Sequence, residues 1–170
     1  MSEIQNTAFN ELSLTTKVAA VNRVTKIIEG GRLFSFSALV IVGNGDGVVG
    51  YGLGKAADVT SAISKATNNA KKQLIKVPIL NKTIPHEVKG KYGSSFIIIK
   101  PAADGTGIKV GGGARLIFEC VGIKNVLSKC QGSSIHNSIK ATFDALSKLK
   151  DPRTIASVRG VSLDTVFNGL

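Results

Sequence analysis

The sequence predicts an α+β protein made of two small units in succession. Three observations carry that expectation: strand-like runs followed by a helical stripe over residues 18–75, a segment with two prolines at 76–85, and a second strand-and-helix succession over 83–149. At 170 residues and 43% hydrophobic content the chain can bury a core, which excludes a disordered polyelectrolyte.

Residues 18–28 read as a strand broken by the polar positions Asn22, Arg23 and Lys26. Glu29-Gly30-Gly31-Arg32 follows as a turn in which two glycines supply positive φ. Residues 33–42 alternate, with Phe34, Phe36, Ala38, Val40 and Val42 on one face, so a half-buried strand is expected. Gly43-Asn44-Gly45-Asp46-Gly47 makes a hairpin turn into a third short strand, Val48 to Tyr51. A helix from about Ala56 to Ile75 then carries Val59, Ile63, Ala66, Ala70 and Leu74 as its apolar stripe.

In the second unit, Thr83–Val88 and Ser94–Lys100 are expected as strands joined by residues 89–93. Ile108–Val110 and Asn125–Lys129 are further short strands, with helices near Ala114–Val121 and His136–Leu149. Ile139, Phe143 and Leu146 define the core side of the last helix. In the tail, Ser162 caps a turn carrying Leu163, Val166 and Phe167.

The net charge is +11, and it is concentrated: residues 17–109 hold 14 basic against 5 acidic groups. Between 71 and 100 seven lysines face Glu87 alone. Such asymmetry repels itself unless a polyanion neutralises it, which makes nucleic acid the leading partner. A membrane surface is the weaker reading, because Trp is absent and aromatics are 5%. No window approaches a membrane span, and the N-terminal segment has neither signal-peptide nor transit-peptide character.

Catalytic and metal-binding patterns are missing. Cys120 and Cys130 have neither His86 nor His136 at ligand spacing and read as small, reduced, buried residues. Glu119 and Asp104 lie near glycine-rich turns without an obvious partner. Gly45-Asp46-Gly47-Val48-Val49-Gly50 fits a dinucleotide fingerprint by letters only, since no helix follows directly. Gly52-Leu53-Gly54-Lys55-Ala56 is a phosphate-friendly shape: free N–H groups at an expected helix start, with Lys55 beside them. A lysine there opposes the helix dipole, and a bound phosphate explains it better than solvent. On the same helix Lys65, Lys72 and Lys76 fall on one stripe, read as a phosphate track.

These residues, taken in order, closely resemble the bacterial small-subunit ribosomal protein five family. The resemblance rests on Val21-Asn22-Arg23-Val24, Gly30 to Phe36, Val42 to Gly45, Gly47 to Gly52, Gly54-Lys55-Ala56 and Ala62-Ile63 in the first unit. In the second it rests on Lys89-Gly90, Pro101-Ala102, Gly105 to Ile108, Gly111-Gly112, Asn125 to Leu127, Gly132-Ser133 and Ala141-Thr142. It implies a double-stranded-RNA-binding-like domain of three strands and a helix at 17–82 and a C-terminal two-layer α/β domain with a left-handed crossover at 83–152. Tails at 1–16 and 153–170 flank them, the latter with a short helix. It further implies a non-enzymatic, cofactor-free constituent of the cytoplasmic small ribosomal subunit. Such a protein binds small-subunit ribosomal RNA, bridges ribosomal proteins four and eight, and supports accurate translation near the messenger RNA entry channel. Arg23, Lys26, Arg32 and Lys55 fall on the family's basic positions. The expected RNA-binding set adds Asn22, Gly30, Gly31 and Phe34 in and beside the hairpin loop, with Lys65, Lys71, Lys72, Lys89 and Lys91 from the lysine-rich stretch.

Two departures stand out. Glu29 occupies the place where the family usually carries a lysine, and Gly132-Ser133-Ser134 runs into Ile135 without the usual Asn-Pro. Ser133 or Ser134 is expected to cap the helix instead. Two rival readings remain at this level. One is a small phosphotransferase, whose phosphate loop Gly52-Leu53-Gly54 resembles; the other is a duplex-RNA module outside the ribosome.

Overall fold

A computed structural model describes residues 13–168. The expected tail at 1–16 lies outside them as far as residue 12. From Thr15 onward the chain is already strand.

The first sheet is antiparallel, in the order β1 (Thr15–Ile28), β2 (Gly31–Gly43), β3 (Val48–Ala56) and β4 (Leu74–Lys76), with α1 (Val59–Lys71) between the last two strands. The second sheet is mixed. Its strands are β5 (Val88–Tyr92), β6 (Ser95–Pro101), β7 (Ile108–Lys109) and β8 (Val126–Gln131), ordered β5-β6-β8-β7. Only β7 and β8 run parallel, and α2 (Ala114–Val121) makes the crossover between them. Helices α3 (Ile135–Ser147), α4 (Pro152–Arg159) and α5 (Leu163–Asn168) follow. The chain is therefore α+β, an antiparallel sheet with one helix and then a mixed sheet with helices.

The expected helix of 56–75 is shorter at both ends, and the reason is local. Asp58 is extended at the N-cap, and β3 continues through Lys55 to Ala56. Leu74 leaves the helical stripe to pair with Gly50 as the fourth strand. The buried stripe of α1 is instead Ala62, Ala66 and Ala70. These small residues face Gly54, Gly52 and Gly50, where a Cβ would overlap the helix carbonyl oxygens of Ala62, Ala66 and Ala70 respectively. Glycine on every second strand residue lets sheet and helix backbones touch.

The strand expected as half-buried is buried on both faces over Ala38–Val42. Ala38, Val40 and Val42 pack against α1, while Leu39 and Ile41 join a larger core with β6, α2, α3 and their neighbours. The turn after β2 is part of that joint. The N–H groups of Gly45 and Gly47 donate to the carbonyls of Cys120 and Val121, each at 2.9 Å. Both glycines have positive φ, and Asn44 Oδ1 accepts from the N–H of Asp46 and of Val48.

In the second unit Thr83–Glu87 is not a strand. Asn81 and Lys82, both with positive φ, form a tight turn closed by a Leu80–Thr83 bridge, and the Lys82 carbonyl accepts from Lys124 and Asn125. Of the residues expected as the connecting turn, 89–93, all but Gly93 belong to strand β5, which starts at Val88. Gly90 there meets the Ala141 carbonyl of α3, repeating the glycine–alanine contact of the first sheet. Ile139, Phe143 and Leu146 are buried as expected. Ser134 caps α3 by accepting from the Asn137 N–H. The C-terminal segment holds two helices rather than one. Pro152 opens α4, left-handed Gly160 ends it, and Ser162 accepts from the Thr165 N–H at the start of α5.

Candidate nucleic-acid interface

Strand β3 pairs with β2 only from Phe36 to Gly43, so beyond that point β1 and β2 continue as a two-stranded ribbon. Glu29 and Gly30 form its turn, closed by the Ile28–Gly31 pair. Positive φ falls on Gly31 alone, at 132°, rather than on both glycines. The ribbon is exposed and its surface is mixed: Ile27 is 79% and Phe34 44% accessible, among Arg23, Lys26 and Arg32.

Cross-strand register sorts the candidates onto two faces. Arg23, Arg32 and Phe34 share the face that continues toward α1, and the Arg23 guanidinium lies 3.9 Å from the centroid of the Phe34 ring. A cation held over an aromatic leaves its outer N–H groups free for phosphate or a base. Asn22 and Lys26 lie on the opposite face. Lys55 is there too, since it pairs with Ser37. Its expected position at a helix start is therefore corrected: Lys55 is a strand residue, and α1 begins only at Val59. Gly52 and Gly54 do not cradle phosphate either, because both are filled by α1.

The expected lysine track on the helix also dissolves. Lys65 and Lys71 belong to α1, Lys72 is its C-cap, and Lys76 is in β4. Lys72 instead borders a hollow of about 310 Å³ with Asn69, Gln73, His136 and Lys140. Sequence patterning gives no sign of Lys140. Its Nζ donates to the Tyr92 hydroxyl at 3.0 Å, a contact 48 residues distant along the chain. Lys89 and Lys91 stand on the second sheet, on the face turned away from α3.

The two carboxylates that lacked a partner in the sequence both have one. Glu119 accepts from Lys17 Nζ at 2.6 Å and from Arg115 Nε at 3.0 Å. These hydrogen bonds, Lys17 first, hold its carboxyl below the usual range, and the same bond raises the Lys17 ammonium. Asp104 accepts from Asn125 Nδ2 at 2.7 Å. Both are structural. Cys120 is buried and Cys130 half-buried, and burial pushes the Cys120 thiol up. Among the described residues no cluster could hold a metal ion, and no helix is long and apolar enough to cross a membrane.

Along both units the amino-acid sequence matches a class of small-subunit ribosomal proteins. Residues 14–78 match the family described as ribosomal protein S5, N-terminal domain, and residues 90–159 match ribosomal protein S5, C-terminal domain. Proteins named small ribosomal subunit protein uS5 are similar over nearly the whole chain. That of Bacteroides thetaiotaomicron is 52% identical over 161 residues, 94% of each chain. That of Flavobacterium psychrophilum is 52% identical over 93% of this chain and 91% of its own. That of Salinibacter ruber is 50% identical over 90% and 88%. The chain belongs to the ribosomal protein S5 family.

Proposed function

We propose that this chain is a structural, non-enzymatic constituent of the small ribosomal subunit in the cytoplasm, binding small-subunit ribosomal RNA through the β1–β2 ribbon. The observation that carries the reading is the ribbon itself: an exposed two-stranded extension with Arg23 stacked on Phe34, Lys26 and Arg32 beside them, and Glu29 its one acid. Lys55, on the sheet face opposite α1, and Lys65, Lys71 and Lys72, on α1 and at its C-cap, are separate further contacts of the first unit in this reading. Lysine and arginine contacts of this kind act on the phosphate backbone, so binding is shape-directed and salt-dependent. The units are taken as 17–82 and 83–152; the two family matches, 14–78 and 90–159, are separate along the chain, and the second continues through α4. Ribosomal proteins four and eight are the protein neighbours of this reading. A place near the messenger RNA entry channel, with a part in translational accuracy, completes it.

The phosphotransferase reading loses its main support, because Gly52-Leu53-Gly54 is strand packed on a helix. The test is reconstitution. Full-length protein carrying Arg23→Ala and Arg32→Ala should bind small-subunit ribosomal RNA more weakly than the parent. Its dependence of log K on log salt should fall by about 1.5, at ~0.7–0.9 for each phosphate no longer neutralised. Unchanged affinity and slope would remove the ribbon from the RNA interface. Sedimentation of the parent with free fractions rather than small subunits would favour the duplex-RNA module.

A further inference from the structure

The second sheet has helices on one face only. Ile97, Ile99, Val126 and Ile108 turn toward the core shared with α2 and α3. The alternate residues turn the other way, and the register lays them out in rows across the strands. One row is Lys89–Ile98–Lys129, from β5 through β6 to β8. The next is Lys100–Leu127–Lys109, from β6 through β8 to β7. Each places an apolar residue between two lysines, and Lys91 stands two residues along β5 from Lys89. Lysines within a row are two strand spacings apart, about 9.6 Å, and the rows are about 6.6 Å apart. Between them Ile98, Leu127 and the stems of Lys100, Lys109 and Lys129 line a hollow of about 310 Å³.

Five lysines on one open face meet a single carboxylate: Lys100 Nζ lies 3.3 Å from Glu87 Oε2. The other four have no ion pair among the described residues. Closely spaced like charges on a rigid sheet repel one another unless an anion lies across them. A protein partner fits poorly, since protein interfaces are depleted in lysine and this face has no arginine. A sugar–phosphate backbone fits well, because ammonium groups meet phosphates as point charges while the apolar floor takes riboses.

We propose that this open face of the C-terminal sheet is a second RNA-backbone surface, separate from the ribbon. It rests on the reading that the chain binds ribosomal RNA, but it uses none of the ribbon's residues.

The experiment compares two full-length variants on small-subunit ribosomal RNA over a salt series. The face variant is Lys89→Gln, Lys109→Gln and Lys129→Gln; the ribbon variant is Arg23→Ala and Arg32→Ala. The face variant should lose at least tenfold in affinity at low salt. Its slope of log K against log salt should shrink by about 2.4, at ~0.7–0.9 for each of three phosphate contacts. Its melting temperature should not fall, since all three lysines are exposed. Replacing the same three by arginine should keep the affinity. If the face variant matches the parent while the ribbon variant weakens, the face proposal is overturned and the ribbon stands. If the face variant alone weakens, the reverse holds. If neither changes, both fall.

Discussion

The root and the tip of the β1–β2 hairpin are made of the same two strands, yet they have opposite environments. At the root, Ala38 to Val42 are buried on both faces, between α1 and the core shared with the second sheet. At the tip, Ile27, Ile28, Leu33 and Phe34 are as apolar and yet lie open. What changes is the neighbour: β3 pairs with β2 at the root and stops before Ser35. Stability belongs to the root, the proposed recognition to the tip, and the same strand pair serves both.

That contrast can be broken most severely at the root. Ile41→Ala should cost about 2–5 kcal/mol in urea denaturation, because Ile41 is fully buried and its neighbours cannot collapse around the gap. A cost below about 1 kcal/mol would mean that the second face of β2 is not packed. Gly52→Ala should cost about 1–3 kcal/mol, since its Cβ meets the Ala66 carbonyl in a seam with no slack. Wild-type melting for that variant would show that β3 and α1 stand further apart.

Glu119→Gln should cost less, about 0.5–1 kcal/mol, because the ion pair is part-exposed. Its pH dependence has a definite sign. The Glu119 carboxyl is held below its usual range, so its contribution is present above that range and lost as pH falls through the lowered value. The Lys17 ammonium is raised, so the pair's contribution persists through neutral pH and is lost only as pH climbs past lysine's ordinary 10.5. Parent and variant should therefore converge in acid, as followed by thermal melts from pH 7 down to about 3.

The tip should respond least in stability. Phe34→Ala should move the unfolding free energy by no more than about 1 kcal/mol, the scale of an exposed cation–π contact. It should nonetheless weaken RNA binding. Glu29→Lys should leave stability within about 0.5 kcal/mol and steepen the salt dependence of RNA binding by about one contact. An unchanged slope would place the turn away from phosphate.

The same contrast explains what the sequence could and could not disclose. The alternation of residues 33–42 identifies the strand, and the ordered glycine motifs identify the family. Alternation, however, describes one strand, and burial on the second face depends on partners some eighty residues on, at Phe118 and Val121. Gly52-Leu53-Gly54-Lys55 reads as a phosphate loop because glycine permits two things, an open loop and a close backbone contact. The alanines at 62, 66 and 70 hold the answer, but only strand–helix register reveals that they face Gly54, Gly52 and Gly50. The lysine rows of the second sheet are hidden in the same way. Lys89-x-Lys91 and Leu127-x-Lys129 each show period two, whereas the pairing that aligns Lys89 with Ile98 and Lys129 is absent from any single segment.

The turn at Asn44–Gly47, bonded to the end of α2 through Gly45 and Gly47, has a further consequence. It joins the unit carrying the ribbon to the unit carrying the lysine face, at a point where a flexible hinge would otherwise serve. Two weak electrostatic contacts on one stiff body behave as a bivalent ligand: once one is seated, the other is presented at high local concentration and at a fixed span. With both proposed surfaces on RNA, such a body would discriminate between RNA folds by the distance between two backbone segments, even where each contact alone ignores sequence. Gly122 fixes that span: a side chain there would meet the Gly45 carbonyl, and its left-handed φ at the end of α2 admits none without strain.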